Sequence, residues 1–272
     1  MKSLLVRSLS AIVAALFVAF LYIKFDKSGL IGLCFLGSTL GVRELIRILF
    51  AWDESLLLKS IFAVFAFAIF CITILIPEHS TLGFSVLSII FCSIAILYEK
   101  KFDDLTHLSL FQAKSILGFF YVGLLPALVA RILNLDQGEL WFFMMFAVVF
   151  AGDTFAYIFG LLFGKKKILP NISPKKTIVG SVGGLFGSAL ATIPFWTYFP
   201  NVPPWYFVSL AIFTGLIAQL GDLFESMLKR VANVKDSGRL MPGHGGILDR
   251  IDGVLFGAPI LLAGALFSQT LF

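Results

Sequence analysis

Nine apolar runs, each about 20 residues long, follow one another through the chain. They lie at 4–23, 28–48, 56–76, 81–98, 115–134, 140–163, 178–199, 205–225 and 251–271. A helix needs roughly 20 apolar residues to cross about 30 Å of hydrocarbon. The runs leave only about 90 of the 272 residues for ends and connections. No room remains for a separate water-soluble catalytic domain, so any chemistry sits in the helices and their links. Composition agrees: 59% of residues are hydrophobic and 14% charged, against about 25% charged in soluble domains. The mean hydropathy is +0.97. Disorder is excluded by the same numbers, because disordered chains are poor in apolar residues. The fold class expected is all-α: a polytopic integral membrane protein of about nine transmembrane helices.

The first run begins behind Lys2 and Arg7 and lacks a small-x-small cleavage pattern, so it reads as a retained helix rather than a removed signal peptide. Cys34, Cys71 and Cys92 lie in apolar runs without CxxC spacing and read as packing residues. Lys and Arg set orientation. With a cytoplasmic N-terminus, 18 of the 21 basic residues fall on the cytoplasmic side, and Lys24, Lys27 and Arg131 on the other. The net charge of +5 then belongs to one face, set against anionic lipids and substrates. The basic residues are not interleaved with aromatics in a soluble segment, so nucleic acid is not an expected partner. The unusual polar residues crowd into the rear of the chain. A boundary near 110 separates a scaffold, 1–110, with possible dimer contacts, from a catalytic half, 111–272.

Asp153 falls inside the sixth run, where a carboxylate costs about 2.5–3.5 kcal/mol on insertion scales. A metal, a basic partner or a wet cavity would offset that cost; a helix–helix hydrogen bond is the plain alternative. The eighth run ends AQLGDLFESMLKR. Helical spacing puts Asp222, Ser226 and Lys229 or Arg230 on one face, and pairs Glu225 with Lys229 as a helix-end ion pair. The next connection reads VANVKDSGRLMPGHGGILDRID. Its Gly238, Gly243, Gly245 and Gly246 permit close backbone approach to phosphate, and Lys235 and Arg239 are phosphate-binding types. His244 lies between glycines. Asp249 and Asp252 share a helix face where the ninth run begins, a hard-oxygen pair suited to Mg²⁺. A helix cap accounts for one of them and not for both. Between the sixth and seventh runs, SPKKTIVGSVGG offers an anion seat at a helix start, although its glycines equally suit close helix packing.

The stretch SMLKRVANVKDSGRLMPGHGGILDRID, with GDTFAYIFGLLFGKKKILPNISPKKT and GDLFESMLKR, closely resembles the phosphatidate cytidylyltransferases, the CDP-diacylglycerol synthases. The resemblance is clear over about residues 140–260. It implies CTP and phosphatidic acid as substrates, CDP-diacylglycerol and pyrophosphate as products, Mg²⁺ with a second cation left open, and a homodimer. It implies a multi-pass protein of the cell inner (cytoplasmic) membrane whose site faces the cytoplasm. The family's metal acids carry over to Asp222, Asp249 and Asp252, with Lys229 and Lys235 as catalytic cations. Asp153, Lys176, Ser226, Arg230, Asp236, Arg239, His244, Gly245, Gly246 and Arg250 are the substrate-binding candidates. Val179 stands where the family commonly has Glu. Two other readings compete: a CTP-dependent lipid kinase of the polyprenol type, and an ion-coupled transporter.

Overall fold

The computed structural model describes residues 2–50, 55–238 and 245–272, with side chains described at 13 and from 15 onward within those ranges. Among the described residues, nine α-helices follow in order: α1 (Lys2–Leu49), α2 (Leu56–Leu75), α3 (Ser80–Leu97), α4 (Leu105–Gly118), α5 (Leu125–Ile132), α6 (Gly138–Phe163), α7 (Ile178–Leu190), α8 (Pro204–Val231) and α9 (Leu248–Leu271). No β-strand occurs among the described residues; Lys167 and Thr177 form an isolated antiparallel bridge.

Eight helical segments among the described residues are long and apolar enough to cross a membrane, against nine runs in the sequence. The stretch α1 contains the first two runs, and the eight segments take it from Ala15 onward as one. Between the runs Asp26 leaves helical geometry, at φ 49° and ψ −142°, beside Lys24 and Lys27, so α1 is two helices meeting at a kink. The bend is sharp enough that a Cβ on Gly29 would run into Leu21 O. The fifth run also differs in detail. It belongs to a longer segment, Leu105–Ile132, in which a π-helical turn at Phe119–Leu124 joins α4 to α5. The seventh segment, Ile178–Tyr198, combines α7 with a 3₁₀ turn at Ile193–Tyr198 that has Pro194 in its first positions.

Two compact units are distinguished: Met1–Arg131 with Val234–Asp249, and Ile132–Asn233 with Arg250–Phe272. In the first, α1–α4 and the π turn pack around stacked phenylalanines. Phe62 lies on Phe119 with centroids 4.9 Å apart, and Phe91 meets both Phe111 and Phe119. Gly118 makes room for this, since a Cβ there would run into the Phe62 ring. The π turn runs up to Pro126, which has no N–H to return to the preceding turn. Ser38 of α1 reaches the same stretch, its Oγ donating to Val122 O at 2.6 Å in a buried contact.

In the second unit, α6, α7 and α8 pack through small residues. Gly180, Gly183, Gly184 and Gly187 are buried on α7. A Cβ on Gly183 would lie 2.5 Å from the Phe159 Cβ, and one on Gly187 would lie 2.6 Å from the Phe155 Cβ. Of the two readings of this glycine stripe, close helix packing is thus the one seen. Ser188 Oγ donates to Val148 O at 3.0 Å, tying α7 to α6. Tyr206 OH donates to Gly264 O at 2.7 Å, tying α8 to α9.

Ser38→Ala should lower stability by about 1 kcal/mol, because it removes a buried hydrogen bond to Val122 O. Thermal unfolding of the variant and the wild type in detergent reads the loss.

Candidate functional site

Within the second unit, three aspartates come under one another's influence, and glycines explain why. At Gly221 a Cβ would stand 2.6 Å from Asp252 O and 2.7 Å from the Phe256 Cβ, so α8 and α9 approach closely there. That approach places Asp222, the next residue on α8, within electrostatic range of Asp252 on α9. Gly253 lets α9 lie against Val149 of α6 and Ala218 of α8. Asp153, one turn beyond Val149, joins the group: its charge is felt at Asp252, and it in turn feels Asp222, Lys176 and Arg250. The sequence set these residues on three separate runs, and the structure brings Asp153, Asp222 and Asp252 together.

Cations balance the group. Lys176 Nζ stands 2.5 Å from Asp222 Oδ2 and 3.5 Å from Gln219 O. It reaches there because the α6–α7 connection folds back on itself. Ile168 N donates to Lys176 O, Ile178 N donates to Lys166 O, and Thr177 Oγ1 caps α7 by accepting from Gly180 N at 3.1 Å. Gln219 fastens the other side, its Nε2 donating to Ser181 O at 3.1 Å. Ser226 Oγ donates to Asp222 Oδ1 at 3.3 Å, as the four-residue spacing required. Arg230 is exposed and its Nε donates to Ile172 O in the α6–α7 connection, at 3.4 Å. Lys229 bonds Glu225 at 2.6 Å and lies within electrostatic range of Asp252. Glu225 is 1% exposed, which goes beyond the helix-end ion pair read from the sequence: the pair is inside the protein. Val179 is exposed, 40% of its surface being open.

Asp222 and Asp252 present hard carboxylate oxygens of the kind Mg²⁺ takes, one or two at a time, with substrate phosphates completing its shell. No cluster of three or more His, Cys, Asp or Glu arranged for a metal occurs among the described residues.

The signature loop lies in the first unit. Asp249 Oδ2 accepts from Ser237 N at 2.9 Å, Ser237 Oγ at 2.9 Å and Gly246 N at 2.8 Å. Gly245 has φ +85°, and a Cβ there would stand 2.5 Å from Asp249 Oδ2. Lys235 and Asp236 are exposed. Arg239 and His244 lie outside the described residues. The sequence reading missed Glu44. It is 5% exposed on α1 and accepts from Ser237 Oγ at 2.9 Å, Ile247 N at 3.0 Å and Leu248 N at 3.0 Å. Glu44 lies five residues from the end of α1, where the insertion cost that singled out Asp153 is smaller. The neighbouring Arg43 and Arg47 made that segment read as the basic end of a span.

The Lys176–Asp222 contact gives a direct test. Lys176→Met and Asp222→Asn should each destabilise, and the double variant should cost less than their sum by about 1 kcal/mol. Chemical or thermal unfolding of the purified variants measures the coupling.

Comparison with known proteins adds an independent line. Residues 5–267 match the model of the cytidylyltransferase family. A protein of Staphylococcus saprophyticus named phosphatidate cytidylyltransferase is 36% identical over 212 residues, covering 78% of this chain and 70% of that protein. One of the same name from Bacillus subtilis is 38% identical over 180 residues, 65% of this chain and 64% of its own length. One from Staphylococcus aureus is 45% identical over 128 residues, 46% of this chain. The match spans about half, 49%, of the S. aureus protein's length. With its family match running over nearly the whole length, the chain belongs to the cytidylyltransferase family.

Proposed function

We propose that the protein is a phosphatidate cytidylyltransferase: it transfers a cytidylyl group from CTP to phosphatidic acid, giving CDP-diacylglycerol and pyrophosphate. The observation that carries the reading is the grouping of Asp153, Asp222, Asp252 and Lys229, on helices long enough to cross a membrane, with Lys176 of the α6–α7 connection. A membrane-embedded acid–base cluster suits a reaction in which one substrate is a lipid with an ionised headgroup and the other a polyanion.

In the reaction, an ionised phosphate oxygen of phosphatidate attacks the α-phosphorus of CTP. The new oxygen–phosphorus bond forms as the bond from the α-phosphorus to the β-phosphate oxygen breaks, and pyrophosphate leaves with that electron pair. The attacking oxygen is already deprotonated near neutral pH, so no residue has to act as a strong base. The chief barrier is repulsion between anions and the charge that develops on the leaving group. Arg230, exposed in the last turn of α8, places positive charge for the triphosphate, while Lys229 beside it is paired with Glu225. Lys176 holds its ammonium at Asp222 and keeps that carboxylate in place from the α7 side. Asp222 and Asp252 are the residues that would hold Mg²⁺, which when bound neutralises phosphate charge and draws the two reactants into line. Ser226 orients Asp222 through its hydroxyl. Asp153 and Arg250 complete the polar surface that the phosphatidate headgroup enters, while the acyl chains stay in lipid.

The basic asymmetry of the connections supports a cytoplasmic N-terminus and a site facing the cytoplasm in the cell membrane. A homodimer is part of the same proposal. Purified protein given phosphatidate, α-labelled CTP and Mg²⁺ should place label in lipid. Label remaining on CDP would instead mark a kinase. Asp252→Asn should fold and insert normally while losing turnover by about 10²-fold.

A further inference from the structure

The carboxylate of Glu44 is buried in an apolar span, where a charge without partners costs several kcal/mol. Its partners are all in one place. Oε2 accepts from Ser237 Oγ and Leu248 N, and Oε1 accepts from Ile247 N. Two of these donors are backbone N–H groups at the start of α9, where the helix dipole favours an anion. The loop glycines fit the same group. A Cβ on Gly238 would collide with the Glu44 carboxylate, and one on Gly246 would collide with that carboxylate and with Ser237 Oγ. Gly245, at φ +85°, wraps Asp249 in the same way. The described glycines of this loop therefore cradle the protein's own carboxylates, and the N–H groups of Gly246, Ile247 and Leu248 are spent on them.

We propose that Glu44 is a positioning residue: it holds the signature loop and the first turn of α9 in the shape the reaction needs. It acts through Ser237, Asp249 and the α9 backbone, and α9 carries Asp252 one turn further on. Its effect on turnover rests on the cytidylyltransferase reading; its hold on the loop does not. A carboxylate is required. An amide in its place turns one of the two accepting atoms into a donor facing a donor, so Gln is no substitute despite its shape.

The test compares wild type, Glu44→Gln and Ser237→Ala, full-length in detergent or vesicles, by hydrogen–deuterium exchange and by transfer from labelled CTP. In Glu44→Gln, exchange at 234–238 and 245–249 rises while α6–α8 keep their protection. kcat per folded molecule falls about 10- to 100-fold, the scale seen when a supporting partner of a site is removed. Ser237→Ala shows the same pattern more weakly, and decides the matter if Glu44→Gln does not fold. Unchanged exchange in the loop overturns the proposal. So does a loosened loop with undiminished kcat. A wild-type protein without cytidylyl transfer would remove the proposed function, and the exchange measurement would still report whether Glu44 holds the loop.

Discussion

Hydrocarbon offers no hydrogen bonds, so each polar group on the spans must find its partner within the chain or at a wet surface. That constraint organises the structure at every scale. It makes the spans helical. It gives the hydroxyl of Ser38 on α1 a buried partner in Val122 O. It gives Glu44 two backbone N–H donors and Asp249 Oδ2 two, with the single proton of the Ser237 hydroxyl lying between the two carboxylates. A soluble protein could leave such groups to water at little cost; here each becomes a fixed contact.

The same constraint distinguishes two kinds of acid. Glu44 and the Oδ2 oxygen of Asp249 accept from the chain's own donors. Asp153, Asp222 and Asp252 are gathered where like charges repel, with Lys176, Lys229 and Arg250 beside them. Repelling carboxylates in an apolar setting are stable only with cations, and a substrate pair bearing several phosphates supplies the complementary demand. Small residues make the gathering possible: Gly221 and Gly253 let α9 lie close against α8 and α6.

Some of this is legible from residue types alone. The apolar runs foretold the helices, because span length follows from hydrocarbon thickness and needs no knowledge of packing. The spacing of Asp222, Ser226 and Lys229 foretold one helix face, since local helical geometry fixes it. The break between the first two runs was legible too, since the polar patch at Lys24, Asp26 and Lys27 is where the two helices of α1 meet at a kink. The glycines of the loop read equally well as a phosphate cradle, and their spacing carried no information on which anion they surround. Glu44 stayed hidden for a related reason. Its donors are 193 to 204 residues away, and two of them are backbone groups with no residue signature.

Sequence by itself determined the medium in which this protein folds, its helical class, and the inventory of acids and bases available for chemistry, because hydropathy and local period are properties of neighbouring residues. Tertiary structure alone decided which acids meet and which are consumed in holding the fold. That choice depends on how closely helices approach and which backbone donors are left over, and both are settled only when distant segments pack.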